Sequence, residues 1–495
     1  MSVVIAIDAG TTGVRAIAFD EQGVPGRSAY REFPQHFPRP GWVEHDPEEI
    51  WDATAAVLGE LVAGLDPTAV TAIGITNQRE TTVVWDRRTG QPLHRAIVWQ
   101  DRRTAARCGR LRDDGVEPLV RERTGLVLDP YFSGTKLAWL FDEGGVQANA
   151  DVAFGTVDTW ILWNLTGGRD GGVHATDPSN ASRTLLFDLH TLGWNDELLD
   201  IFGVPASCLP EVRPSGGRFG VTRPEAAAGL AVPVSGIVGD QQAALFGQAC
   251  FEAGMTKNTY GTGSFVLMNV GDRVPDPAEG LLTSVAWTIG DEVTYTMEGA
   301  IFVTGAAIQW LRDGLGIISE AAEIGPLAAE VADAGGVAFV PAFTGLGSPW
   351  WDPYARGTVV GLTRGVTRAH LARAVVEAMA FQTRDVVEAM QRASGTSIAE
   401  LRVDGGASVM DLLCGLQADV LGVPVRRPRV QETTALGAAY MAGIAEGVWP
   451  STAAVSERWM LDLSCEPNAG SDIERRYPEW LRAVERSRGW ASDED

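Results

Sequence analysis

An aspartate that follows an apolar strand is the first candidate for chemistry. In the segment IVGDQQAALFGQ (237–248) the apolar residues end at Gly239, and Asp240 begins a predicted helix. A carboxylate at such a point can take the proton from a substrate hydroxyl as a general base. It can equally accept hydrogen bonds from the first turn of the helix, a common role for aspartate there. The local sequence leaves both roles open.

Three glycine-rich turns are candidates for phosphate binding. They are DAGTTG (8–13), YGTGS (260–264) and DGGAS (404–408), and each follows or interrupts a run of strand-forming residues. Glycine tolerates positive φ and has no Cβ, so the backbone N–H groups of such turns can face a phosphate. Asp8, at the end of the first strand, can hold Mg²⁺ directly or through water. An ordinary strand connection explains each turn alone, whereas three turns in one chain favour a nucleotide-binding cleft.

The two most familiar nucleotide motifs are absent from the chain. A P-loop requires G-x-x-x-x-G-K-[ST], and no Gly-Lys dipeptide occurs. A Rossmann G-x-G-x-x-G motif does not follow the first predicted strand. Any nucleotide must therefore be held by another device.

Polar and aromatic residues beside other strands indicate a ligand with several hydroxyl groups. The segment GITNQRETTVVWD (74–86) places a dense set of hydrogen-bond donors and acceptors between two apolar strands. A hairpin tip would favour Asn-Gly or Asp-Gly, and this segment has neither. Trp99 ends another apolar strand, and Tyr131 follows in DPYFSGTK (129–136). A solvated turn and aromatic core packing are the alternatives for these segments.

Composition indicates an acidic globular protein of two domains. The chain has 495 residues, of which 45% are apolar, and its formal charge is −24. Such a negative chain is a poor partner for nucleic acid or an anionic membrane. No apolar run reaches the roughly 20 residues of a membrane helix, and the N-terminus lacks the pattern of a signal peptide. We therefore predict no nucleic-acid partner, no membrane insertion and a cytoplasmic location.

The cysteines and lysines of the chain indicate no further functional site. The five cysteines are scattered and form no C-x-x-C pair, so neither a disulfide framework nor a zinc site is indicated. Lysine occurs only at Lys136 and Lys257, and nearly all the positive charge is arginine. We attribute this imbalance to genomic base composition.

Strand-like and helix-like segments alternate along the chain, which predicts an α/β protein. A long amphipathic helix is predicted over residues 367–395, where Gly395 marks its end. The turn AGTTG (9–13) has a counterpart in YGTGS (260–264), about half a chain away, and an apolar strand follows each. This echo predicts two similar halves that face each other across a cleft, although two short turns can also match by chance. We place the boundary near residue 248.

Longer blocks of the sequence resemble the FGGY carbohydrate kinases and, among them, the glycerol kinases. The resemblance runs from residue 3 to about residue 480 and is carried by DAGTTGVRA, GITNQRETT, WQDRRT, DPYFSGTK, GTVDTW, NASRT, GDQQAALFGQ, KNTYGTG, FTGLGSP, WDPYARG, GLTRG, LRVDGGAS and TALGAAY. It implies an α/β fold of two related actin-like (ribonuclease H-like) domains with the active site in the cleft between them. Residues 1–248 would bind glycerol and phosphate and carry the catalytic aspartate, and residues 249–495 would bind ATP and its adenine.

The resemblance also implies a reaction and the residues that perform it. ATP, with Mg²⁺, would phosphorylate glycerol to sn-glycerol 3-phosphate, and Asp240 would be the general base. The residues implied for glycerol are Arg79, Glu80, Trp99, Tyr131, Asp240, Gln241 and Phe265. Those implied for the nucleotide are Thr11, Thr12, Gly13, Arg15, Thr262, Gly305, Gln309, Gly406 and Met410. Asp8 would stand near Mg²⁺, and a homo-oligomer, either a dimer or a tetramer, is expected.

Three residues depart from what these kinases usually have, and the first is Ala9 in place of glutamine. Gly13 stands in place of serine, which removes one hydroxyl from the first glycine-rich turn. Met410 stands in place of an asparagine that contacts the adenine, and methionine cannot donate the same hydrogen bond. The alternative functions are an FGGY kinase for another polyol or a ketose, and a non-enzymatic actin-like ATP-binding module. The segments NQRET and DPYF favour the three-carbon substrate.

Overall fold

A sheet of thirteen strands runs through the protein, in the order β23-β22-β21-β15-β16-β18-β17-β13-β14-β5-β1-β2-β3. The computed structural model describes residues 2–491. The strands are β1 (Val3–Ala9), β2 (Gly13–Phe19), β3 (Pro25–Glu32), β4 (Glu44–His45), β5 (Val70–Asn77), β6 (Val83–Asp86), β7 (Ala96–Ile97), β8 (Val152–Gly155), β9 (Ala175–Thr176), β10 (Phe187–Asp188), β11 (Gly193–Trp194), β12 (Glu211–Val212), β13 (Gly216–Val221), β14 (Pro233–Gly239), β15 (Thr256–Tyr260), β16 (Ser264–Gly271), β17 (Leu282–Ile289), β18 (Glu292–Ile301), β19 (Ala338–Val340), β20 (Thr358–Val360), β21 (Leu401–Asp404), β22 (Val425–Pro428) and β23 (Leu461–Cys465).

Helices cover the sheet on both faces. They are α1 (Pro47–Val62), α2 (Ala105–Asp113), α3 (Glu117–Thr124), α4 (Ser133–Asp142), α5 (Val157–Thr166), α6 (Pro178–Ala181), α7 (Asp196–Phe202), α8 (Asp240–Gly247), α9 (Gly305–Gln309), α10 (Ile324–Ala328), α11 (Arg368–Ser394), α12 (Asp411–Leu421), α13 (Thr433–Ala445), α14 (Thr452–Ser456) and α15 (Ile473–Ser487). The predicted helix over residues 367–395 is therefore confirmed as α11, and Gly395 follows it with a φ of 68°.

The first half of the sheet is an antiparallel meander continued by parallel strands. β3, β2 and β1 pair antiparallel, and β1, β5 and β14 pair in parallel. The side chains of β1 are buried alternately against α1, on the face of Ile5, and against α13, on the face of Val4. A strand covered on both faces needs a continuous apolar run, which is what the N-terminal sequence provides.

The second half repeats this arrangement. β18, β16 and β15 form the antiparallel meander, and β15, β21 and β22 form the parallel part. The turn AGTTG lies between β1 and β2, and YGTGS spans the junction of β15 and β16. The α/β prediction and the predicted repeat of two similar halves are confirmed. The halves join where Gly216 of β13 pairs in parallel with Ile289 of β17.

The parallel strands of the first half end at one edge of the sheet. Ala9 of β1 lies opposite Asn77 of β5, and Gly239 of β14 also lies opposite Asn77. The segments that leave these strand ends are the AGTTG turn, the NQRET segment and the start of α8. Ligands of α/β proteins bind outside the carboxyl ends of parallel strands, so this edge is where a site is expected.

Helix α13 belongs to the second half in sequence but packs on the sheet of the first half. Its apolar side chains join Val4, Phe19 and Val238 in one buried cluster. A β-carbon built at Gly437 of α13 would lie 1.9 Å from the carbonyl oxygen of Ala243 in α8. The two helices therefore touch backbone to backbone. The boundary predicted near residue 248 lies between α8 and β15 and stays a prediction.

We predict that Gly437→Ala lowers the free energy of unfolding by about 1–3 kcal/mol, because the added methyl group must push α13 away from α8. Thermal and urea unfolding would measure the change. Gly59→Ala in α1 is the matched control, because a β-carbon at Gly59 meets no other atom within 4 Å. That control should stabilise the helix by about 0.5–1 kcal/mol. Equal effects of the two substitutions would contradict the packing described for α13.

Candidate active site

Asp240 lies at the end of β14, as the first residue of α8. Its Oδ1 accepts hydrogen bonds from the backbone N–H of Gln241, at 2.7 Å, and lies 3.2 Å from Nε of Arg79. The helix N-cap is Gly239, so Asp240 is not the capping residue, although its carboxylate does accept a hydrogen bond from the first turn of α8. The side chain of Asp240 is 29% exposed, whereas that of Arg79 is 1% exposed.

Beneath Asp240, two arginines and two glutamates form a closed ring, which we call the buried charge ring. Its members are Arg79, Glu298, Arg183 and Glu80. Arg79 lies 2.5 Å from Glu298, Glu298 lies 3.0 Å from Arg183, Arg183 lies 2.6 Å from Glu80, and Glu80 lies 3.7 Å from Arg79. No member is more than 2% exposed.

The charges of the ring shift the pKa values of one another and of Asp240. Burial alone would raise the pKa of Glu298, but Arg183 and Arg79 together lower that pKa to about 2. Burial raises the pKa of Glu80 despite the opposing effect of the same two arginines. Desolvation likewise raises the pKa of Asp240, and the Arg79 guanidinium opposes the rise. Asp240 is thus a more basic carboxylate than a solvated aspartate and is held in place by an arginine.

Glu80 has a backbone conformation that is rare for a residue with a side chain. Its φ is 63°, in the left-handed region. Its carbonyl oxygen accepts hydrogen bonds from Oγ of Ser133, at 2.9 Å, and Nζ of Lys136, at 3.3 Å. Lys136 also donates to the carbonyl oxygen of Tyr131, at 2.6 Å, and burial lowers its pKa to about 7. Through Lys136, these contacts fix the position of the Glu80 backbone relative to that of Tyr131.

Two aromatic rings lie beside the buried charge ring. The ring of Trp99 packs edge to face on that of Tyr131, with centroids 5.6 Å apart. The Tyr131 hydroxyl accepts a hydrogen bond from Arg79, at 3.4 Å, and Nε1 of Trp99 donates to Oγ1 of Thr11, at 3.0 Å. Tyr131 and Trp99 therefore connect Arg79 of the buried charge ring to Thr11 in the first glycine-rich turn. Phe265 lies on β16 in the second half, partly buried.

The first glycine-rich turn carries Thr11 and Thr12 at the same sheet edge, followed by Gly13. A β-carbon at Gly13 would lie 2.6 Å from the carbonyl oxygen of Arg31 and 2.8 Å from the hydroxyl of Tyr30. Neighbouring strand β3 thus leaves no room for a serine at position 13 as the chain stands. Glycine there follows from the backbone of β3 as well as from Tyr30, whose hydroxyl lies 3.5 Å from Oγ1 of Thr12.

Asp8 and Arg15 face each other across the antiparallel pair of β1 and β2. Burial raises the pKa of Asp8 to about 7, and the negative charge of Asp240 adds to the rise, so the two carboxylates lie close enough to repel. Arg15 is partly exposed and pairs with Glu432, at 2.7 Å, at the start of α13.

Two of the elements that carry the remaining predicted nucleotide residues contact the second glycine-rich turn. Gly305 donates its N–H to the carbonyl oxygen of Gly261, at 3.0 Å, beside Thr262. The DGGAS turn lies against the same segment, because a β-carbon at Gly405 would meet the backbone of Tyr260. The predicted residues on these elements are Gly305 and Gln309 in α9, Gly406 in a 3₁₀ turn, and Met410 just before α12.

Three charged residues at the site were not singled out by the sequence analysis. Glu298 lies inside apolar strand β18, and a lone charge in such a strand is a signal of a paired, buried group. Arg183 and Lys257 stand in the blocks NASRT and KNTYGTG, which gave no role for either. Lys257 is fully buried and donates to Oε1 of Gln241, at 2.7 Å.

Over residues 2–491, no group of three or more His, Cys, Asp or Glu side chains is placed to hold a metal ion on protein ligands alone. Within the same range, no helix combines the length and the apolar character that crossing a membrane requires.

We predict that Glu298→Gln lowers the free energy of unfolding by about 3–5 kcal/mol, because it leaves two buried arginines with one full carboxylate partner fewer. Urea unfolding followed by tryptophan fluorescence would measure it. The control Asp313→Asn neutralises a carboxylate in an exposed pair with Arg312 and should leave the melting temperature unchanged. A Glu298→Gln protein as stable as the parent would show that the ring does not hold the site together.

Two family models match the chain. The N-terminal domain of the FGGY family of carbohydrate kinases matches residues 3–247, and its C-terminal domain matches residues 256–446. "Glycerol kinase 2" of Thermotoga maritima is 55% identical over 497 residues, which cover 99% of each chain. "Glycerol kinase" of Trichlorobacter lovleyi is 56% identical over 499 residues, covering 99% of this chain and 100% of that one.

A solved structure agrees over the same length. The crystal structure of Plasmodium falciparum glycerol kinase with ADP is 33% identical, covers 98% of each chain and superposes with a TM-score of 0.92. The sequence similarity and the structural similarity extend over nearly the whole chain, and the family models cover most of it. The chain therefore belongs to the FGGY family of carbohydrate kinases.

Proposed function

We propose that this kinase transfers the γ-phosphoryl group of ATP to a terminal hydroxyl of glycerol and so forms sn-glycerol 3-phosphate and ADP. The observation that carries the proposal is the state of Asp240. Among the three carboxylates that pair with Arg79, which are Asp240, Glu80 and Glu298, that of Asp240 is the most exposed. Arg79 holds it in place, and burial raises its pKa. The relatives from Thermotoga maritima and Trichlorobacter lovleyi, both named glycerol kinases, support the choice of substrate.

In this proposal Asp240 is the general base. The glycerol hydroxyl gives its proton to Asp240 as its oxygen bonds to the γ-phosphorus, and the bond to the β-phosphate oxygen breaks to release ADP. Arg79 fixes the carboxylate and stabilises its ionised form, while the partly desolvated setting keeps it basic enough to accept the proton.

The remaining polar residues hold the substrate. Arg79, Glu80 and Tyr131 offer the guanidinium, carboxylate and hydroxyl groups that suit a small polyol, and Gln241 adds an amide beside Asp240. Trp99 and Phe265 form the apolar walls along the carbon backbone. In this proposal the pocket is short, because the members of the buried charge ring, none more than 2% exposed, lie beneath it.

ATP is proposed to lie between the two glycine-rich turns. Thr11, Thr12, Gly13 and Arg15 bind the phosphates from the first half, and Thr262 binds them from the second. The residues proposed along the ribose and adenine are Gly305, Gln309, Gly406 and Met410. A cleft that closes on both substrates excludes water and limits wasteful hydrolysis of ATP.

Asp8 is proposed to hold Mg²⁺. Mg²⁺ commonly uses one or two carboxylates together with substrate phosphates, and Asp8 beside Asp240 is an oxygen-donor pair of this kind. The raised pKa of Asp8 fits the same role, because a divalent cation would relieve the repulsion between the two carboxylates. Bound Mg²⁺ would neutralise negative charge on the phosphates. A homo-oligomeric state and a cytoplasmic location stay predictions.

We predict that Asp240→Asn lowers kcat for glycerol-dependent ADP release by about 10²–10⁴-fold, because asparagine cannot accept the proton. A coupled ADP assay with glycerol, longer polyols and ketoses would measure both rate and substrate choice. Asp313→Asn is the control and should keep the rate of the parent. A preference for a ketose or longer polyol would replace glycerol by that substrate, and no substrate-dependent ADP release at all would favour a non-enzymatic ATP-binding module. An Asp240→Asn enzyme with the rate of the parent would refute the base assignment.

We predict that Met410→Asn lowers KM for ATP more than KM for other nucleoside triphosphates, because an amide adds a directional hydrogen bond to the adenine. Met410 now packs on Gly325 of α10, since a β-carbon at Gly325 would lie 3.2 Å from Met410 Cγ. Steady-state kinetics with ATP and GTP would give the ratio. Val409→Asn, at an exposed neighbouring position, is the control. Unchanged ratios would remove Met410 from the adenine site.

A further inference from the structure

The contact between Lys257 and Gln241 fixes which end of the Gln241 amide faces Lys257. Nζ of Lys257 lies 2.7 Å from Oε1 of Gln241 and 2.8 Å from Oγ1 of Thr259. An ammonium group only donates hydrogen bonds, so Gln241 must present its oxygen to Lys257. With the oxygen used in this way, the amide NH₂ faces away from Lys257.

The charges around Lys257 keep this arrangement in place. Lys257 is fully buried, and Asp404, Glu298 and Asp240 all favour its charged form. Burial is the larger effect and lowers its pKa to about 8, which leaves the group protonated at neutral pH. Turning the amide of Gln241 by half a turn would bring two donor groups together in a buried site, an arrangement that costs free energy.

The contact also crosses between the two halves of the sheet. Gln241 is the second residue of α8, in the first half, and Lys257 lies on β15, in the second. Asp240, immediately before Gln241, offers an acceptor to the substrate, whereas the free NH₂ of Gln241 offers a donor. A substrate with two neighbouring oxygens would match Asp240 and Gln241. One oxygen, as a hydroxyl, would give its proton to Asp240, and the other would accept a hydrogen bond from the Gln241 NH₂.

We infer that Lys257 is a positioning residue, which holds Gln241 so that its side-chain NH₂ donates to an oxygen of the substrate. The inference rests on the proposed function, in which Gln241 contacts glycerol. It assigns Lys257 an effect on the affinity for the polyol that acts through the orientation of Gln241.

A double-mutant cycle tests this role. Gln241→Met and Lys257→Met should each raise KM for glycerol by about tenfold, as expected for one lost hydrogen bond of ordinary strength. The double variant should be no worse than either single variant, because Lys257 has nothing to position once the amide is gone. Multiplied effects in the double variant would overturn the inference.

Two further variants guard against misfolding of Lys257→Met. Gln241→Glu keeps a partner for Lys257 but cannot donate, so its KM for glycerol should rise as in Gln241→Met. Lys257→Arg keeps a donor and should retain KM for glycerol within about threefold, because an arginine side chain can still donate to Oε1. A Gln241→Glu enzyme with the KM of the parent, or a Lys257→Arg enzyme as impaired as Lys257→Met, would overturn the inference.

Glycerol binding without turnover gives an independent readout. The rise in melting temperature on adding glycerol should shrink in Gln241→Met and Lys257→Met to the same extent. Gln417→Met is the matched control, because Gln417 is a buried glutamine that bonds Tyr260 and the backbone of Ala380. It should lower the melting temperature but keep the shift caused by glycerol. If the parent enzyme shows no glycerol-dependent ADP release, the proposed function fails; if it does and Lys257→Met binds glycerol normally, only the inference fails.

Discussion

The site depends on one constraint: four charges without access to water must remain paired with one another. Arg79, Glu80, Arg183 and Glu298 are all nearly or fully buried, so each ion has lost its hydration and relies on its neighbours in the ring. Glu298 is the member contributed by the second half, and the other three come from the first. The pairing therefore fixes the position of Arg79 under Asp240 and the contact between the two halves at the same time.

The ring also explains why the surrounding backbone can be unusual. Glu80 in the left-handed region stores strain of about 1–3 kcal/mol, which persists only where the surroundings over-determine the conformation. Its carboxylate is held by Arg183, and its carbonyl is held by Ser133 and Lys136. The two lysines of the chain are both buried, Lys136 against the carbonyl oxygen of Glu80 and Lys257 against the amide of Gln241. Base composition therefore explains the scarcity of lysine but not the places where lysine remains.

Local sequence signals predicted what local interactions decide. The 3.6-residue periodicity and Gly395 located α11, and two Gly-Thr turns at similar strand ends predicted the repeat of the sheet. The ring escaped prediction because its partners are distant in sequence: Arg79 and Glu298 are 219 residues apart. The orientation of Gln241 has the same origin, since it depends on a lysine from the opposite half. Gly13 has a similar origin, because the reason for glycine lies in the neighbouring strand β3, in the backbone of Arg31 and the side chain of Tyr30.

Helix α13 has a consequence for biosynthesis. The face of the first sheet that carries Val4 and Phe19 is covered by residues 433–445, so the first half emerging from a ribosome carries an uncovered apolar surface. About 190 further residues separate α8 from α13, and at roughly 5–20 residues per second their synthesis takes on the order of 10–40 s. During that interval this apolar face stays uncovered, and the core on it is completed only when the second half is almost finished.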